Sequence, residues 1–205
     1  MIKTNPAEKN LHMIGYSTIS VTIHTIADTI IRSAKLDDAQ QIFKLVNYGE
    51  REGQLLPRSL DAIRESIGDW VVAASAGDII GVGSLVEMGP TLVEVRSLAV
   101  APAYRKNGIG AKIVEALVGE AQARGMKMVF ALTRAVPFFE RVGFGVTEKE
   151  NFPEKVWRDC LICPVRHACD EVAVVRTVNS NQYQCTVFSE QTRGGCDACC
   201  VMRNA

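Results

Sequence analysis

Residues 92–124 constrain the fold more than any other stretch. Leu92 to Val100 reads as a strand and Gly108 to Arg124 as a helix, joined by the turn Ala101-Pro102-Ala103-Tyr104-Arg105-Lys106-Asn107. Ile113, Leu117 and Ala121 recur at i, i+4, which gives the helix one apolar face, and Gly125 ends it. A strand feeding a helix through a short turn must pack that helix on a sheet, so an α/β architecture follows.

The rest of the chain agrees. Thr29 to Arg32 reads as a strand. Asp37 and Asp38 open a helix with Ile42, Leu45 and Val46 on its apolar face, and Gly49 to Gly53 breaks it. Ser59 is placed to cap a second short helix carrying Ile63 and Ile67, stopped by Gly68. Trp70 to Ser75 and Ile79 to Met88 form a hairpin about Ala76-Gly77-Asp78. The continuous apolar run Met128 to Leu132 suits a strand buried on both faces. Pro137 to Arg141 is a short helix closed by Gly143, Phe144 to Thr147 a strand, and Glu171 to Val178 the last strand. Domain bounds of 29–178 follow, with an extension over 1–28 and a Cys-bearing tail over 179–205. Ser17 to Ile26 is a further strand or an ordered arm.

Composition narrows function. The 205 residues carry 23 basic and 23 acidic side chains, for zero formal charge. Nucleic acid and anionic membranes select an excess of Lys and Arg, so neither is an expected partner. No apolar run approaches the roughly 18 residues of a membrane span. All seven cysteines fall at or after Cys160. An odd count confined to one end is not a secreted disulfide framework, and a cytoplasmic location is expected.

The turn before the long helix carries the chemistry. A helix N-terminus offers unpaired N–H groups and partial positive charge. Gly108 and Gly110 let a phosphate approach the backbone, and Arg105 and Lys106 add donors. Asn107 and Ile109 complete the turn. The Walker A ending Gly-Lys-Ser/Thr is missing, and the glycine spacing is not that of a dinucleotide fingerprint. Glu94 is an ionisable group in the middle of an apolar strand; it serves as a base, directly or through water, or merely pairs with Arg96 on the same face. Cys160, Cys163, Cys169 and His167 could make a Cys3His zinc site, or the cysteines are small core or pocket residues; the reading assigns no metal ligand.

These residues resemble a known superfamily. Arg105, Gly108 and Gly110 after a strand ending in Ala99-Val100 match the acetyl-coenzyme A pattern of GNAT acetyltransferases, Arg/Gln-x-x-Gly-x-Gly/Ala. Phe138 to Phe144 resembles that superfamily's Phe-Tyr-Glu-Lys-x-Gly-Phe segment. Gly53 to Ser59, Glu94 to Val100, Leu132 to Arg134 and Phe152 to Trp157 are similar to bacterial N-acetylglutamate synthases. Cys160 to Glu171 resembles their short, single-domain form, without the arginine-binding kinase-like domain of the longer form.

The resemblance implies a GNAT fold, a mixed, mostly antiparallel sheet with helices on both faces. It implies transfer of acetyl from acetyl-CoA to the α-amine of L-glutamate, the first step of arginine biosynthesis. Leu98, Ala99 and Val100 would line the thioester with an oxyanion donor among their N–H groups. Arg58, Arg96, Thr133 and Lys155 would hold the acceptor. Phe138 and Phe139 stand where many members carry a tyrosine acid, so the acid is unassigned. Two other readings stay open: another amine as acceptor, or a non-catalytic sensor of CoA or metal. A homodimer is compatible with either.

Overall fold

The computed structural model describes residues 28–178, which leaves Ser17 to Ile26 and four of the seven cysteines outside the described residues. Strand β1 (Ile30–Ser33) is followed by a single 3-10 turn and α1 (Ala39–Arg51), then α2 (Leu60–Glu65). Strands β2 (Trp70–Ser75), β3 (Asp78–Gly89) and β4 (Leu92–Val100) precede α3 (Ile109–Ala123). Then come β5 (Met128–Thr133), α4 (Val136–Arg141) and β6 (Gly145–Thr147). Helix α5 (Pro153–Lys155) continues into a π-helical turn over Val156–Cys160, and β7 (Val172–Thr177) comes last.

Local chemistry explains most boundaries. Ser59 Oγ accepts the Ala62 N–H at 3.1 Å and caps α2 as expected. Ala76 and Gly77 both take positive φ, 50° and 89°, as the right-handed twist of a two-residue hairpin demands. Asp38 accepts the Lys35 N–H at 2.7 Å and is clamped by Arg32 at 2.7 and 3.0 Å. The break expected at Gly49 comes later, because α1 runs on through Arg51. A Cβ on Gly49 would stand 2.8 Å from Leu55, so the glycine lets the following loop fold back on the helix instead of ending it.

The seven strands form one sheet in the order β1-β2-β3-β4-β5-β7-β6. Every pairing is antiparallel except β4 with β5. The last strand thus inserts between β5 and β6. Met128, the first residue of β5, is 39% exposed, so burial on both faces holds only from Val129 inward.

Helices cover both faces, which bears out the α/β expectation. On one face α3 buries Ile113, Leu117 and Ala121 completely against Val71, Val93, Val95 and Val129. On the other, Ile42 and Val46 of α1 and Ile63 of α2 pack on Val72 and Val82. A third cluster stacks Phe152 on Phe130, ring centroids 4.1 Å apart, and seats the irregular segment before β7 against the sheet.

Gly81 and Gly83 of β3 set how closely α3 approaches. A Cβ on Gly83 would lie 2.9 Å from Leu117 Cδ1 and 3.0 Å from Ile113 Cγ2. Gly83→Ala must push the helix outward or force two rotamers, which overpacking experience puts at about 1–3 kcal/mol. Urea denaturation of the variant is expected to show that loss, with an unchanged m-value.

Candidate active site

The site is built on a fault in the sheet. Strands β4 and β5 pair only at Leu92, Val93 and Glu94, opposite Met128, Val129 and Phe130. Beyond Glu94 they part. The cause is visible on the other side of β4, where Arg96 faces Ser84 and Ala99 faces Val82, so Ser97 and Leu98 together oppose the single residue Gly83. This is a β-bulge, and Ser97 sits at φ 52° to make it. The bulge bends β4 away from β5, and the edge of β4 over Val95–Val100 has no β5 partner.

Two cavities occupy the opening. The first, of about 550 Å³, is lined by Leu98, Ala99, Val100, Arg105, Lys106, Gly108, Ile109 and Gly110. Eight of the nine proposed cofactor residues therefore face one space. Asn107 does not; its Nδ2 donates to the Tyr104 and Arg105 carbonyls at 3.3 and 3.1 Å and closes the turn from within. Arg105 Nε donates to the Val100 carbonyl at 3.0 Å, which ties the turn to the end of β4. Gly108, the N-cap of α3, has φ 76°, and a Cβ there would meet nothing within 4 Å, so its glycine is required by backbone conformation alone. Gly110 is different: its Cβ would touch the Phe138 ring at 3.3 Å.

The second cavity, of about 480 Å³, is lined by Arg58, Glu94, Arg96, Thr133, Lys155 and Glu171, among others. All five residues expected in the acceptor and base roles meet here, brought from four separate parts of the chain. Leu98, Phe138, Ala135, Gln54 and Leu55 line both cavities, so the two spaces share a wall.

The charges of this second cavity are organised around Glu94, which is 3% exposed. Arg96 Nε donates to its Oε2 at 2.5 Å and Lys155 Nζ faces its Oε1 at 2.9 Å. Asp159, which the sequence did not single out, pairs with Arg96 and accepts from Lys155 Nζ at 3.2 Å. Burial works against the Asp159 charge, but Arg96 and Lys155 outweigh it and hold its carboxyl below the usual range. The pairing of Glu94 with Arg96 is therefore present, and both Glu94 oxygens are engaged.

Arg58 stands apart. It is half-buried, and no ion pair joins it to a carboxylate among the described residues. Burial, and then the nearby charge of Arg96, holds its guanidinium below the usual arginine range. Thr133 Oγ1 accepts the Ala135 N–H at 2.9 Å, which caps the turn into α4 and leaves the hydroxyl proton to donate elsewhere. Arg134 pairs with Asp170 at 2.5 Å and donates to the Gly53 carbonyl at 3.0 Å, fastening the loop that walls both cavities.

Among the described residues, no group of three or more His, Cys, Asp or Glu is arranged to hold an ion, so zinc at Cys160, Cys163, Cys169 and His167 finds no support. Burial pushes the Cys160 thiol above its usual range, which disfavours a thiolate. No helix among the described residues is long and apolar enough to cross a membrane.

Comparison with known proteins meets this geometry. The acetyltransferase (GNAT) family matches residues 36–144. An uncharacterized N-acetyltransferase of Chlorobaculum tepidum is 43% identical over 152 residues, covering 74% of this chain and 98% of that protein. The amino-acid acetyltransferase of Mycobacterium tuberculosis is 34% identical over 128 residues, covering 60% and 71%. The N-acetylglutamate synthase from Neisseria gonorrhoeae superposes with a TM-score of 0.65 at 23% identity, over 74% of this chain and 35% of that one. The chain likewise spans only 29% of the amino-acid acetyltransferase of Pseudomonas fluorescens. The cradle before α3, the parted strands and these matches have one reading: the chain belongs to the GNAT acetyltransferase family and is an acetyl-CoA-dependent N-acetyltransferase.

Proposed function

We propose that the acceptor is the α-amine of L-glutamate, which would make the chain an N-acetylglutamate synthase acting at the head of arginine biosynthesis. The observation that carries this is Arg58: a half-buried guanidinium without an acidic partner, lining a cavity that shares a wall with the cofactor groove. A cation so placed, attracted by Glu94 and Asp159 but ion-paired to neither, stabilises an anionic ligand, and a guanidinium fork suits a carboxylate. A polyamine acceptor would ask for the opposite charge. The amino-acid acetyltransferase name of the Mycobacterium tuberculosis relative supports an amino-acid acceptor. The gonococcal synthase, complexed with coenzyme A and N-acetyl-glutamate, shares the fold.

In this reading the pyrophosphate of acetyl-CoA lies on the turn Arg105–Gly110, under the N-terminus of α3. The pantetheine arm runs along the unpaired edge of β4, and a backbone N–H within Leu98–Val100 polarises the thioester carbonyl. Glu94 and Asp159 hold Arg96 and Lys155 in place, so that the acceptor meets a fixed polar wall with Arg58 beside it. Thr133 donates its remaining hydroxyl proton to the acceptor. Phe138, between the two cavities, offers no proton donor, and the thiolate takes its proton through water.

Coenzyme A release measured across the amino acids is expected to be fastest with L-glutamate; equal rates with leucine or lysine would overturn the acceptor assignment. Arg58→Ala should raise the KM for glutamate by about 10- to 100-fold, the worth of a charge-assisted hydrogen bond, while leaving the KM for acetyl-CoA unchanged. Gly108→Ala acts on the other cavity. A side chain held at φ 76° costs about 1–2 kcal/mol, and steady-state kinetics should show a several-fold rise in the KM for acetyl-CoA with glutamate binding intact.

A further inference from the structure

The second cavity contains a carboxylate that the reading above leaves without a task. Glu171 lies just before β7 and lines the same space as Arg58, Glu94 and Lys155. It is half-buried, and no ion pair engages it among the described residues. A weak polar contact joins it to the Cys169 thiol, 4.0 Å from Oε2. Glu94 is its opposite: deeper in the sheet, with one cation on each oxygen. Of the two acids in the cavity, only Glu171 has oxygens open to a ligand.

We propose that Glu171 receives the ammonium of the acceptor and takes its proton, acting as the general base of acetyl transfer. This rests on the acceptor occupying the second cavity, as argued above. Arg58 and Glu171 then divide an amino acid between them, the carboxylate to one and the ammonium to the other. The ammonium gives one proton to Glu171, and the neutral amine attacks the thioester carbonyl. The new C–N bond forms and the C–S bond breaks as the tetrahedral intermediate collapses. The amide nitrogen loses a second proton, which ends on the coenzyme A sulfur through water. Glu171 returns its proton to solvent, so one proton is released per turnover.

The surroundings suit this role. Burial raises the Glu171 carboxyl above the usual carboxylate range, while the charges of Arg134, Lys155 and Lys149 oppose that and Glu94 adds to it. A carboxylate so placed holds a proton more firmly than an ordinary exposed one. The Cys169 thiol also faces it and carries no formal charge as a thiol.

The experiment compares the wild-type chain with Glu171→Gln, using acetyl-CoA and the amino acid that the wild type acetylates fastest. The amide keeps the volume and removes the base. The kcat/KM for the acceptor is expected to fall by about 100-fold or more, and the acidic inflection of its pH profile should vanish. The KM for acetyl-CoA and the melting temperature should hold. Glu171→Asp should retain the inflection with reduced activity. A Glu171→Gln enzyme within about threefold of wild type, inflection intact, overturns the proposal while leaving the acceptor reading standing. A wild type that prefers an amino acid other than glutamate removes the glutamate assignment but still tests Glu171 on the preferred substrate. A wild type that acetylates no amino acid overturns both.

Discussion

The bulge at Ser97 and Leu98 is the constraint on which the site depends. A parallel pair such as β4 and β5 would ordinarily run its ladder to the strand ends, leaving no room for a ligand. Two residues opposite one on the β3 side turn β4 outward after Glu94, and the pairing with β5 stops there. The cost is a buried serine at φ 52°, in a class of backbone strain worth about 1–3 kcal/mol. The sheet around it is well able to hold that strain. Gly83, the single residue facing the bulge, also admits Leu117 and Ile113 of α3, so the helix that carries the phosphate cradle is registered on the same spot that opens the strands.

That coupling puts two requirements on one short region. The proposed phosphate cradle needs α3 to begin close to the end of β4, and the proposed acyl site needs the end of β4 to be free of β5. Arg105 meets both by reaching back from the turn to the Val100 carbonyl. Phe138 meets both from the other side: it stands against Gly110 at the start of α3 and separates the two cavities. A larger residue at position 110 would displace that ring, which is why the second glycine of the turn is explained as much by aromatic packing as by room for a phosphate.

The parts of the fold that could be read from sequence are those whose signal is local. Helix α3 carries its period in Ile113, Leu117 and Ala121 and its limits in Gly108 and Gly125, and α2 declares its start with Ser59. The insertion of β7 between β5 and β6 has no such signal, because strand order is settled by pairing across long separations in the chain. The secondary structure of residues 149–168 has no local signal either: short 3-10, α and π turns have no period, and this segment is held by Phe152 on Phe130 and by Lys155 on Glu94. The site shows the same division. Arg105 to Gly110 are contiguous and were legible, whereas Asp159 and Glu171 are single acids in or beside irregular chain. Asp159 stands one helical turn after Lys155, a spacing at which an acid was to be looked for.

Two arginines line the second cavity, and the difference between them bears on what such a cavity is for. Arg96 has Glu94 and Asp159 as partners, so its charge is spent within the protein and its contribution is to shape. Arg58 has no such partner, and its proximity to Arg96 adds like-charge repulsion to the cost of burial. A structure selected for stability alone would bring Glu94 or Asp159 into an ion pair with Arg58 or turn its side chain outward. Holding a cation in this state makes sense where an anion arrives to relieve it, and the relief then comes as binding energy directed at one end of the ligand. Glu171 is the matching case of opposite sign on the same cavity, a half-buried carboxylate without a cation of its own. Two half-buried charges of opposite sign, neither held in an ion pair among the described residues, describe a receptor for a zwitterion better than they describe a structural network.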